Sequence, residues 1–200
     1  MNFKYLPNRI EIRNKVINKL DEFVFDFILL LNKQKIKYVL VSGYVSILFG
    51  RNRTSEDVDI FIEKMDYTKF YELWTKISKK FECLNTSDVK NAYEKYLSEG
   101  ISLRFSKKNS YIPNIEFKFP KLEIDYWTLE KRIEVTLNDY KLFISPLELQ
   151  IPFKLFLGSQ KDIEDARHLY KLFKEHLNLK LLDEFNQKLK TDKLFNKYIK

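Results

Sequence analysis

The 200 residues are 44% hydrophobic and 32% charged, a balance that suits one globular domain, or a domain with a small helical appendage, and excludes a string of domains. Aromatics reach 16% while Gly (4) and Pro (5) are scarce, so disordered, collagen-like and low-complexity readings fail together. A net charge of +8 suits a polyanionic partner, but most of the 36 basic residues are lysines scattered along the chain, so the charge permits nucleic-acid binding without arguing for it.

Met1 to Tyr5 lack the apolar region and small-residue cleavage site of a signal peptide, which points to a cytoplasmic protein. Apolar residues from Ile10 through Val16, Leu20, Phe23, Val24, Phe27, Ile28 and Leu31 follow a helical rhythm and predict one amphipathic helix over Ile10 to Gln34. Its most apolar run, Phe23 to Leu31, is broken by Asp26 and is shorter than the roughly 20 residues of a membrane span. Tyr38 to Val41 reads as a buried strand, Ser42-Gly43 as a tight turn, Tyr44 to Phe49 as a short helix, and Val58 to Ile62 as the next strand. Tyr67 to Phe81 and Asp88 to Ser98 read as helices, and the lone Cys83 as a small half-buried apolar residue that excludes an internal disulfide or a cysteine zinc site. Three strands are predicted at Ile101 to Phe105, Ile115 to Phe119 and Leu122 to Trp127, then a short helix capped by Thr128 and a last strand at Leu142 to Ile144. From Pro146 the pattern is helical, with helices near 146–157, 161–176, 178–189 and 191–199. The expected architecture is therefore α/β, a small mixed β-sheet flanked by helices over 1–145, followed by a C-terminal helical subdomain over 146–200.

The densest chemistry lies between Val39 and Ile62. A strand that turns at Ser42-Gly43 into a helix aims free backbone N–H groups and a positive dipole end at one spot, a natural phosphate seat. Asp57 and Asp59, two apart on a predicted strand, leave the same sheet face, where a divalent cation would relieve their repulsion. Arg51 and Arg53, in the intervening loop, can reach phosphate oxygens. Taken singly, an Asp-x-Asp is usually a solvated strand face and a Ser-Gly usually a turn; their order and spacing make the case. His168 and His176 lack zinc-pair spacing and read as solvated or half-buried side chains. The lysines from Lys180 to Lys200 could line an RNA path, yet the interleaved apolar residues make amphipathic helices a sufficient explanation. Tyr126 and Trp127 could stack on a base, although buried sheet aromatics are commoner.

This segment resembles the signature of the polymerase-β-like nucleotidyltransferase superfamily, in which a Gly-[Gly/Ser] turn precedes an Asp-x-Asp pair by about a dozen residues. More narrowly it is similar to the minimal stand-alone members that include AbiEii-like toxins of abortive-infection systems; the turn departs by placing Ser before a single Gly. The resemblance implies that Ser42 and Gly43 bind the triphosphate, and that Asp57, Asp59 and a third acid on a neighbouring strand hold two Mg²⁺ ions, with Mn²⁺ as a substitute. For the third acid Asp125 is preferred and Glu123 is the fallback. It further implies that Lys154 faces the phosphates, and that Asp162 and Asp165 organise a helix beside the site, since Ser145-Pro146-Leu147-Glu148-Leu149 and Lys161-Asp162-Ile163-Glu164-Asp165 match the family pattern. A carboxylate at Asp162 could equally just complement a helix dipole. The function so implied is transfer of a nucleoside monophosphate from a triphosphate such as ATP to an acceptor hydroxyl, on RNA (a tRNA 3′ end), with a partner protein or a small molecule left open as acceptor, in a toxin–antitoxin setting. The rivals are a non-catalytic nucleotide-binding or antitoxin-like protein of the same fold, a protein-modifying nucleotidyltransferase, and an RNA-binding domain with merely superficial acids.

Overall fold

A computed structural model of the chain describes residues 2–6 and 9–199. In chain order the elements are β1 (Asn2–Leu6), β2 (Arg9–Arg13), α1 (Lys19–Lys33), β3 (Tyr38–Val41), α2 (Gly43–Leu48), β4 (Asp57–Ile62), α3 (Tyr67–Ile77) and β5 (Phe81–Cys83). There follow α4 (Val89–Asn91), which runs on as a π-helical segment over Ala92–Leu97, then β6 (Leu103–Lys107), β7 (Asn114–Lys118), α5 (Glu123–Glu130), β8 (Ile133–Leu137) and β9 (Tyr140–Ile144). The chain closes with α6 (Leu147–Leu157), α7 (Gln160–Phe173), α8 (Leu179–Leu189) and α9 (Asp192–Tyr198). Among the described residues no helix is long and apolar enough to cross a membrane.

Among the described residues the strands form one mixed sheet in the order β1-β2-β8-β9-β3-β4-β7-β6-β5, nine strands rather than the small sheet expected. Register sorts its faces. β4 runs parallel to β7 with Val58 opposite Ile115 and Ile60 opposite Phe117, and these apolar residues share one face. Phe27 of α1 and Trp74 of α3 pack there, each within 6 Å of the Phe105 ring centre, and cover it. Asp57, Asp59 and Phe61 therefore emerge on the opposite face, alongside Asn114, Glu116 and Lys118. That second face meets α5 and α6.

Three expectations are corrected. The helix predicted from Ile10 begins only at Lys19, because Ile10 and Ile12 are buried by strand alternation in β2 while Asn18 caps α1 by accepting from the Asp21 N–H at 2.8 Å. Apolar residues at i and i+2 fit the start of either period, and pairing with β8 decides for the strand. The strand predicted over Leu122 to Trp127 is instead α5; Asp125 accepts from the Lys121 and Leu122 N–H groups at 3.0 Å each and thereby nucleates a helix where alternation suggested a strand. Thr128 is consequently no cap but sits inside α5, donating its hydroxyl to the Ile124 carbonyl at 2.6 Å. The C-terminal helices fall close to their predicted limits, and α6 packs against both α7 and α8.

Candidate active site

At the end of β3 the chain reverses through Ser42, whose φ of 61° and ψ of −132° is a backbone region that side-chain-bearing residues rarely occupy. Gln150 of α6 holds it there. Its Nε2 donates to the Ser42 carbonyl at 2.8 Å, and its Oε1 accepts from the Ser42 N–H at 3.3 Å and from the Ser145 hydroxyl at 2.7 Å. Gln150 is only 2% exposed, so these bonds form away from water. At the next residue a Cβ on Gly43 would stand 2.3 Å from Arg53 Nη2, so a larger residue there would displace the Arg53 guanidinium.

Arg53 does not lie free over that turn. Its Nε and Nη2 donate to the two oxygens of Asp165 at 3.1 and 3.0 Å, a two-pronged pair with a carboxylate buried at 0% exposure. Arg51 pairs with Glu164 and places its Nε 3.7 Å from Asp165. Lys154, 1% exposed, donates to Asp162 at 2.7 Å and lies 3.2 Å from Asp165. Burial alone would raise the Asp162 carboxyl, but hydrogen bonds from Lys154 and Ser159 outweigh it and hold the group below its ordinary value. The three cations expected to meet phosphates are thus spent on an ion network that pins α7 to the loop before β4.

The acids lie on the other side of the turn. Asp57 is exposed at the head of β4 and accepts from the Ser55 hydroxyl at 3.3 Å. Asp59 is half-buried, and burial raises its carboxyl. The Lys118 ammonium 3.6 Å away and a hydrogen bond from Ser42 oppose that shift, while Glu116 and Asp57 add to it. Glu116 is opposite Asp59 in the β4–β7 register and is held by Arg104, whose Nε and Nη2 donate to one oxygen at 2.9 and 2.7 Å. The sequence reading missed Glu116, because its strand, Asn114 to Lys118, carries a single acid and only the pairing register brings it beside Asp59. Among the described residues no three acidic, histidine or cysteine side chains converge as a ligand cluster.

Between these elements lies a cavity of about 240 Å³. Ser42, Asp59, Lys118, Asp125 and Gln150 give it polar groups; Phe61, Ile124, Leu149 and Phe153 give it an apolar wall. Of the sequence-predicted residues it brings together Ser42, Asp59 and Asp125, the last from a helix rather than a strand and with one oxygen engaged in capping. Glu123 is exposed. The histidines are structural: His168 lies 3.0 Å from the Phe49 carbonyl and His176 stacks on Tyr5. Trp127 packs edge-on against Phe185 of α8.

Fold and cavity together define a mixed α/β protein with a strained turn and an acidic strand facing a helical wall. No protein-family model and no curated protein sequence matches the chain. Among solved structures it is similar to an antigenic nucleotidyltransferase-like protein from Paracoccidioides brasiliensis, with TM-score 0.52 and 17% identity over 89% of this chain and 92% of that one. The antibiotic-resistance factor ANT(2'')-Ia aligns at TM-score 0.49 and 6% identity over 88% and 94% of the two chains. The first likeness is one of fold alone.

Proposed function

We propose that this chain is a metal-dependent nucleotidyltransferase that moves a nucleoside monophosphate from a nucleoside triphosphate to an acceptor hydroxyl, with RNA, at a tRNA 3′ end, as the acceptor. One observation carries this reading: the strained Ser42 turn and Asp59 open into the same cavity, opposite α6, on a nucleotidyltransferase-like fold. Carboxylate oxygens are hard donors that suit Mg²⁺ or Mn²⁺, so Asp57 and Asp59 are the residues that would hold the cations, with Asp125 or Glu116 as third ligand and proton acceptor. When bound, Mg²⁺ lowers the pKa of the attacking hydroxyl and neutralises charge on the departing pyrophosphate. The chain's own residues position and exclude water. Gln150 fixes the turn, the wall of Phe61, Ile124 and Phe153 keeps the reacting phosphate dry, and the Arg53–Asp165–Lys154 network holds the loop against α7. Kinship with the AbiEii-like type is carried by Lys154, Asp162 and Asp165, which take up a structural ion network in this chain. RNA as acceptor rests on that resemblance, and the +8 charge permits it.

A second reading, nucleotide binding without transfer, draws support from the pairing of Glu116 with Arg104 and of Asp59 with Lys118. Incubating the protein with Mg²⁺, total RNA and each α-labelled triphosphate in turn separates the two. Label on RNA is the expected result, label on protein redirects the acceptor, and binding without covalent label establishes the second reading.

A further inference from the structure

The cations that flank the turn are committed to carboxylates of α7. Arg51, Arg53 and Lys154 face Glu164, Asp165 and Asp162, and the last two of these acids are almost wholly buried. Drawing Arg53 or Lys154 onto a phosphate would strip a buried carboxylate of its shortest ion-pair contact, and Arg51 would have to give up Glu164. Lys118 is placed differently. It sits at the end of β7, opposite Phe61 in the β4 register, and it is the one cation among the described residues lining the cavity. Its Nζ lies 3.6 Å from Asp59, beyond good hydrogen-bond length, and 5.1 Å from the centre of the Phe61 ring, with the side chain 28% exposed. A long, flexible ammonium so loosely held exchanges partners at small cost.

We propose that Lys118 is the cation that binds the triphosphate: its ammonium leaves Asp59 for a phosphate oxygen when the nucleotide enters. The inference rests on the nucleotidyltransferase reading and adds to it a substrate-binding residue and an order of events. Once Lys118 turns away, Asp59 keeps the Ser42 hydrogen bond but loses its neighbouring cation, and its repulsion from Glu116 and Asp57 is one that a divalent cation relieves. Triphosphate and divalent cation then strengthen each other's binding through the departure of one side chain. The Phe61 ring gives the lysine stem an apolar surface to slide along as its head changes partner.

The test titrates the α,β-methylene analogues of ATP, GTP, CTP and UTP by calorimetry in Mg²⁺, and Mn²⁺ alone by electron paramagnetic resonance, on the wild type, Lys118→Met, Lys118→Arg and the control Lys64→Met. Lys64 is exposed outside the cavity, near Tyr126. Lys118→Met is expected to weaken the preferred analogue by about 10- to 100-fold, from loss of a charge-assisted contact, while binding Mn²⁺ alone as tightly as the wild type or more tightly. Lys118→Arg should keep most of the affinity, and Lys64→Met all of it. Analogue affinity within twofold of wild type in Lys118→Met overturns the proposal, as does weaker Mn²⁺ binding, which would make Lys118 a support for the acids. A wild type that binds no analogue and transfers no nucleotide instead overturns the enzymatic reading beneath it.

Discussion

Asp59 and Asp162 are both carboxylates near the turn, yet their surroundings push them in opposite directions. Burial, reinforced by Glu116 and Asp57, raises Asp59, so its folded-state pKa lies above the unfolded one. Its contribution favours folding at low pH and is lost as pH rises through that raised value. Asp162, held down by Lys154 and Ser159, contributes stability that is present above the unfolded carboxylate pKa and lost as pH falls through its lowered value. Asp59→Asn should therefore leave the melting temperature at pH 7 unchanged or higher, with any gain shrinking towards pH 4, while nucleotide transfer falls by at least about a thousandfold through loss of a metal ligand. Melting curves across that pH range, set beside initial rates, check both halves. A large loss of stability with transfer retained would make Asp59 a structural acid.

The segment from β3 through α2 to β4 was legible in the sequence because every part of its signal is local. The Ser-Gly turn, the short helix and the alternating Asp57-Val58-Asp59-Ile60 follow one another within about two dozen residues. What escaped reading depends on contacts between distant positions. Glu116 gains its place only through the β4–β7 register, and Gln150 acts on a backbone 108 positions away. Strand β8 is hard to read although Ile133, Val135 and Leu137 alternate inward, because Thr128 reads as the cap of a helix in that stretch. Asn138, at a left-handed φ of 51°, turns β8 into β9 and is the signal that would have found it.

The same distant contacts yield predictions for the elements they join. Gln150→Leu leaves the Ser42 N–H and carbonyl and the Ser145 hydroxyl without their partner, and should cost about 1–3 kcal/mol in urea unfolding while lowering kcat, since the turn can relax from its strained geometry. Lys154→Met takes the ion-paired ammonium from buried Asp162 and leaves Asp165 to the arginines, and should cost about 3–5 kcal/mol, the larger loss of the two. A Lys154→Met protein as stable as wild type would show that Asp162 and Asp165 are satisfied by Arg51, Arg53 and Ser159 alone.

At the scale of the whole molecule, the sheet's two faces divide the labour. One face buries Phe105, Phe117 and Ile60 beneath α1 and α3 and supplies the core; the other presents acids and Lys118 to a cleft closed by α5 and α6. The N-terminal hairpin joins the helical end, with Phe3 and Tyr5 packed on Phe173 of α7, so the chain's first and last thirds brace each other around the turn. With a net charge of +8, transfer to RNA should weaken steeply as salt rises from about 50 to 200 mM, through the acceptor's KM more than through the triphosphate's. Rates measured at matched Mg²⁺ across that range read this directly, and a salt-independent KM for RNA would point to an uncharged acceptor.

The most direct measurement is a crystal structure with a non-hydrolysable nucleoside triphosphate and Mg²⁺. The account predicts the triphosphate between the Ser42 turn and Asp59, with Lys118 moved onto a phosphate oxygen and the Arg53–Asp165 pair intact. A nucleotide bound elsewhere, or one that draws Arg53 and Lys154 out of their ion network while Lys118 stays on Asp59, would contradict it.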